Sequence, residues 1–209
     1  MLAIFIAVLA KLFSIVNPFG GLPMYLAMTA HFEKKERRQL VLTTSLYFVG
    51  ILLTFFWAGT YILGFFGLTV NALRIAGGLV ILSSAFALQN DKFDENRGMD
   101  STVKQKAMES SDIAFSPLAM PLLAGPGSIS LLIGFYAEYE AFNERLVITG
   151  VILLVGLIVY LVLQSAPLLY RLLGVSGLKA GSRIMSFITM AIGVQFIISG
   201  VVALVKSLN

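Results

Sequence analysis

Six apolar windows, at about 1–29, 38–64, 68–89, 113–137, 146–170 and 179–204, take up most of this 209-residue chain. A helix rises about 1.5 Å per residue and the hydrocarbon core of a bilayer is about 30 Å thick, so each window is long enough to cross once. Backbone inside a bilayer must find its hydrogen bonds within the protein, which leaves helices as the structure for runs of this length. The rest of the chain is too small to clothe a soluble globule, since 58% of the residues are hydrophobic and only 12% are charged. The expected fold class is an all-α membrane protein with six transmembrane helices forming a single membrane domain over 1–209.

Charge placement orients those crossings. The connections after windows one, three and five hold Lys34, Lys35, Arg37, Arg38, Lys92, Arg97, Lys104, Lys106, Arg171 and Lys179, against Arg145 and Lys206 on the other side. Ten against two places the first set in the cytoplasm and both termini outside it. No basic segment precedes the first window as it would in a cleaved signal peptide, so Met1 is expected to be retained. Glu33 and Glu36 interleave with the basic residues of the first connection, and no aromatic stacking pattern accompanies them. A nucleic-acid partner is therefore not expected. The polar stretch at 90–112 mixes acidic and basic residues without apolar periodicity and reads as a cytoplasmic linker.

The first window is interrupted. Asn17-Pro-Phe-Gly-Gly-Leu-Pro23 falls near its middle, and Asn is a favoured helix N-cap while proline is favoured at the first helical position. A new half-helix could start at Pro18, or at Pro23 with 17–22 left as loop. Either version exposes backbone groups and a positive dipole end inside the membrane. Gly125-Pro126-Gly127-Ser128 repeats this chemistry in the fourth window. Asn17, Pro18, Gly20, Gly21, Gly125, Pro126, Gly127 and Ser128 are the candidate substrate-binding residues, able together to hold a carboxylate. Gly77-Gly78 reads instead as a close helix contact, and Pro117 and Pro121 as shaping the fourth span.

The two breaks keep register with later residues. Arg74-Ile75 begins 56 residues after Pro18, and Arg183-Ile184 begins 57 residues after Pro126. Each unit contains three crossings, so the second enters the membrane from the opposite face. The expected arrangement is two inverted-topology three-helix repeats, at about 1–89 and 113–204, with spans one and four broken. Lys11, Arg74 and Arg183 lie within the windows with no acidic residue deep in any of them. Each must snorkel to water or face a polar interior, and all three are candidates for a gate or a charge contact.

Asn17-Pro-Phe-Gly-Gly-Leu-Pro-Met-Tyr25 near the N-terminus and Pro121-Leu-Leu-Ala-Gly-Pro-Gly-Ser-Ile129 after the polar linker resemble the motifs of the MarC family of integral membrane proteins. The resemblance covers essentially the whole chain. It implies an organisation similar to the lysine-exporter superfamily, a bacterial inner-membrane location, and the transport of small neutral amino acids associated with archaeal relatives.

The expected function is transport of a small polar or zwitterionic solute across the bilayer by alternating access, a small neutral amino acid being the leading class. A non-transporting membrane scaffold and a channel are the competing readings. An enzyme is not expected, because metal ligands are lacking and Ser, His and Asp form no triad within the spans. The absence of cysteine excludes disulfides and thiolate metal sites, and the one histidine, His31, sits in a charged connection. No cofactor is implied. The coupling ion and the oligomeric state are left open by the sequence.

Overall fold

The computed structural model describes residues 1–89 and 113–208, so the linker expected at 90–112 lies outside the described residues. Helices α1 (Leu2–Val16), α2 (Pro18–Met28), α3 (Lys34–Phe65) and α4 (Val70–Gln89) come first. An irregular segment, Ala114–Leu123, leads to α5 (Pro126–Glu138), α6 (Phe142–Gln164) and α7 (Ala166–Leu208). Among the described residues there is no strand. Five stretches are long and apolar enough to cross a membrane: Leu2–Met28, Lys34–Phe65, Val70–Gln89, Phe142–Gln164 and Ala166–Lys206. Ala114–Leu123 with Pro126–Glu138 makes a sixth if this pair, bent by 65°, counts as one.

Local chemistry fixes the ends of these elements. Asn17 adopts the left-handed conformation (φ 41°, ψ 68°) that stops α1, and its side chain accepts a hydrogen bond from the Gly20 N–H at 3.3 Å to start α2. Asparagine tolerates that backbone better than most residues. The half-helix therefore starts at Pro18 and carries Pro23 inside it, which resolves the two versions left open by the sequence. In the fourth window Ser116 and Met120 are extended (ψ 121° and 128°), each immediately before a proline. A proline ring disfavours the helical region for its predecessor, so Pro117 and Pro121 keep this half irregular. Glu33 caps α3 reciprocally with Glu36, whose carboxylate accepts the Glu33 N–H at 2.9 Å.

The fifth span ends earlier than hydropathy indicates. The window at 146–170 runs across the end of α6 at Gln164, and Ala166 to Tyr170 belong to the next helix. Apolar residues continue on both sides of Gln164-Ser165, so no drop in hydropathy marks the boundary. Pro167 sits in the first turn of α7, where its missing N–H costs nothing. Gly174 (φ 64°, ψ −179°) then interrupts α7 with a backbone reserved almost wholly for glycine.

Packing centres on α4 against α7, the most extensive helix pair in the molecule. A Cβ on Gly78 would lie 2.8 Å from the Gly193 carbonyl oxygen, and one on Gly200 would lie 3.0 Å from that of Asn71. Small residues thus let these backbones approach, as expected of Gly77-Gly78. Phe48, Leu52 and Phe56 of α3, with Leu131, Leu132 and Phe135 of α5 and Ile148, Ile152 and Val155 of α6, build the buried core. Leu79, Phe86, Leu153, Leu157 and Phe187 point outward and suit a lipid-facing surface.

Candidate functional site

The two breaks meet inside the helix bundle. A Cβ on Gly21 would stand 3.4 Å from Leu122 Cδ2, and one on Gly127 would stand 2.8 Å from Ile81 Cγ1 and 3.5 Å from Ile15 Cγ2. Their surroundings nevertheless differ. Asn17, Pro18, Gly20 and Gly21 are buried in contacts among helices. Asn17 Nδ2 donates to Ser182 Oγ at 2.9 Å, and a Cβ on Gly20 would lie 2.9 Å from that same oxygen.

The second break opens on a cavity of about 290 Å³, whose walls include Gly125, Pro126, Gly127 and Ser128, together with Ile15, Ser84, Leu88, Pro121 and Thr189. Gly125 precedes α5 in an extended conformation (φ −81°, ψ 167°), and Pro126 occupies the first helical position. Ser128 turns back on this loop, its hydroxyl and its N–H donating to the Gly125 carbonyl at 2.8 and 3.1 Å. The α5 N-terminus, with the positive end of its dipole, therefore forms one wall of the cavity. None of the four first-break residues lines it.

The three basic candidates are held apart from that cavity. Arg74 Nη2 donates to Glu138 Oε2 at 3.2 Å and to the Gly134 carbonyl at 3.4 Å, tying α4 to the end of α5. Glu138 stands one residue beyond the expected window, so the acidic partner of Arg74 comes from the end of α5 and not from deep in a span. Arg183 is exposed at the surface of α7, while the adjoining Ser182 is buried. Lys11 is half-buried, with Nζ 5.4 Å from the centre of the Phe135 ring. This is a cation–π contact between α1 and α5.

Sequence reading passed over a polar stripe on α7. Ser182, Ser186 and Thr189 are all buried. Ser182 holds Asn17, Ser186 Oγ donates to Gln89 Oε1 at 2.9 Å, and Thr189 Oγ1 donates to the Ser14 carbonyl at 2.8 Å. Their spacing of four and three residues in an otherwise apolar span is the available signal, because it puts all three on one helix face. Outside the spans, burial pushes the Tyr139 phenol above its ordinary pKa, and Glu138 and Glu144 push in the same direction.

Comparison with known proteins agrees with this architecture. The family model described as "MarC family integral membrane protein" matches residues 2–205. A UPF0056 membrane protein of Buchnera aphidicola subsp. Schizaphis graminum is 35% identical over 206 residues, covering 99% of this chain and 95% of that one. A UPF0056 membrane protein of Methanocaldococcus jannaschii is 37% identical over 198 residues, covering 94% and 95%. The UPF0056 inner membrane protein MarC of Escherichia coli is 32% identical over 211 residues, covering 95% and 94%. No solved structure gives a significant match. With a family match from residue 2 to residue 205 and relatives aligned along nearly their full lengths, this chain belongs to the MarC family of integral membrane proteins.

Proposed function

We propose that this protein is a transporter that carries a small polar or zwitterionic solute across an inner membrane by alternating access, with a small neutral amino acid as the leading solute class. The observation that carries this reading is the cavity of about 290 Å³ at the second helix break. It lies at the small end of ligand pockets and combines apolar walls with Ser84, Ser128, Thr189 and the α5 N-terminus. A carboxylate would face the positive end of the dipole, and the hydroxyls would serve the ammonium or other polar groups. A solute of this kind needs no cofactor or catalytic step.

Packing supports the inverted repeat. Exchanging the halves pairs α1 with the 114–123 segment, α2 with α5, α3 with α6 and α4 with α7. Under that exchange α1 on α6 corresponds to the 114–123 segment on α3, and α2 on α7 corresponds to α5 on α4; all four contacts are made. The correspondences are not all equal, and one of the unequal ones bears on access. α1 packs on α7, whereas the cavity intervenes between α4 and the 114–123 segment. Two similar halves with one path packed and the other open are what alternation between access states requires. By the placement of basic residues the open path faces the cytoplasm, and both termini lie outside. The Thr189–Ser14 bond stands where the cavity ends and the packed contact of α1 on α7 begins.

Reconstituted into liposomes, the protein is expected to give saturable, counterflow-stimulated flux of one or more small neutral amino acids when these are tested beside organic anions and drugs. Flux that does not saturate would favour a channel. A well-folded preparation that neither binds nor moves any of the panel would favour a scaffold and overturn the transport reading.

The Arg74–Glu138 pair serves here as a tie on the closed side. Glu138 is half exposed (50%), so the pair is a modest one, in the range of up to about 1 kcal/mol. In a Ser84→Cys background, Glu138→Gln should raise labelling by an impermeant maleimide from the closed side by about two- to fivefold, with little change from the open side. Equal change from both sides would remove the tie from the mechanism.

A further inference from the structure

Arg37 and Arg145 occupy places that their own helices disfavour. Each is the fourth residue of a long helix, α3 and α6 respectively, and each directly follows a glutamate, Glu36 or Glu144. A cation in the first turn faces the positive end of its helix dipole, so helix propensity does not explain an arginine there. Among the described residues neither makes an ion pair with a carboxylate.

Both arginines are instead spent on backbone carbonyls at the far ends of the half-helices. Arg37 Nη2 donates to the carbonyl of Thr29, the C-cap of α2, at 2.7 Å. Arg145 Nε donates to the carbonyl of Tyr139, the C-cap of α5, at 3.0 Å. Its Nη2 donates to the Tyr136 carbonyl at 3.1 Å, and its guanidinium lies 3.8 Å from the centre of the Tyr136 ring. Terminal carbonyls of a helix lack partners within it and carry the negative end of its dipole, so a guanidinium completes them in both respects. The two arginines stand 108 residues apart, as do Pro18 and Pro126 at the starts of the same half-helices.

We propose that Arg37 and Arg145 are a matched pair of positioning residues that anchor α2 to α3 and α5 to α6 in both access states. The inference rests on the inverted-repeat transport reading and adds to it which contacts stay fixed. The paths along α1 and α4 differ, one packed and one holding the cavity, whereas the two arginine clasps are closed together. A contact that alternates would be closed on one face and open on the other. These clasps therefore hold the C-terminal ends of the half-helices while the paths beside their N-terminal ends change.

Hydrogen exchange on the full-length protein in detergent or nanodiscs tests the anchors without any substrate. Arg37→Gln should speed exchange of the last-turn amides of α2 by about tenfold, the scale of a lost charge-assisted hydrogen bond, while α5 keeps its rate. Arg145→Gln should do the reverse. Arg37→Lys and Arg145→Lys, which restore a cation and a donor, should recover part of the protection. Unchanged exchange in both half-helices, or an equal rise along the whole chain, would overturn the proposal.

A second measurement separates an anchor from a gate. The chain has no cysteine, so the pairs Ala30→Cys with Arg37→Cys, and Glu140→Cys with Arg145→Cys, can each be bridged by a short bis-maleimide without background. Bridging should restore flux to the level of the unsubstituted protein in each case, whereas arrest on bridging would make the clasp a gate and overturn the anchor. If the unsubstituted protein moved no solute, transport would fall while the exchange measurement still decided the anchors.

Discussion

Gly78→Val should leave only a small fraction of the protein recoverable as a folded, monodisperse species in detergent. A Cβ at this position would meet the Gly193 carbonyl oxygen at 2.8 Å, the Ile197 N at 3.1 Å and Ile197 Cγ1 at 2.6 Å. The first two are backbone atoms of α7, which cannot rotate aside as a flexible side chain could. Relief requires α4 and α7 to separate along the largest helix contact in the molecule. Overpacking a fitted interior costs about 1–3 kcal/mol even where side chains can yield. The rigid backbone places the valine variant at or beyond the upper end of that range, with Gly78→Ala less severe. Gly50→Ala is the matched control, because nothing lies within 4 Å of a Cβ at that position of α3. Its melting temperature in detergent should equal or slightly exceed that of the unsubstituted protein, as expected when a helical glycine becomes alanine. Equal loss from Gly78→Ala and Gly50→Ala would show that close approach at Gly78 is not what the glycine provides.

Hydropathy made the long helices legible, and Asn17-Pro18 announced the first break because cap chemistry is local. It was less informative wherever a helix ends inside continuous apolar sequence. Ser165 closes α6 with its own N–H and hydroxyl on the Leu161 carbonyl, at 3.0 and 2.6 Å, amid residues that look like uninterrupted span. Motif similarity likewise predicted equal roles for Arg74 and Arg183, yet one is tied to Glu138 and the other lies at the surface. Their partners come from elements distant in sequence, so spacing within one helix carries no information about them. The same limit hid the unequal surroundings of the breaks. Gly125 to Ser128 line a cavity, while Asn17 to Gly21 are engaged by Ser182, Leu122 and Leu123. The buried face of α7 was readable in principle, since Ser182, Ser186 and Thr189 share a helical period.

Asn17→Ala should reduce flux at least tenfold in proteoliposomes, and it should also lower the melting temperature. Three separate supports are removed at this buried position (5% exposed). The left-handed backbone, φ 41° and ψ 68°, costs alanine about 1–2 kcal/mol. Loss of the cap to the Gly20 N–H costs about 0.5–2 kcal/mol. Removing Nδ2 also takes the donor at 2.9 Å away from Ser182 Oγ and breaks the link between the first span and α7. Tenfold in rate corresponds to about 1.4 kcal/mol, so the expected loss is within what these contributions supply. Companion variants separate them. Asn17→Gly accepts the backbone and loses both hydrogen bonds, so its melting temperature should fall less than that of Asn17→Ala. Ser182→Ala keeps backbone and cap and removes only the link to α7. It leaves the buried Asn17 Nδ2 without its acceptor, so the melting temperature of Ser182→Ala should fall, though less than that of Asn17→Ala. Should Asn17→Ala reconstitute with full flux, the first break would be a packing kink without a part in transport, and the cavity at Gly125 to Ser128 would have to act alone.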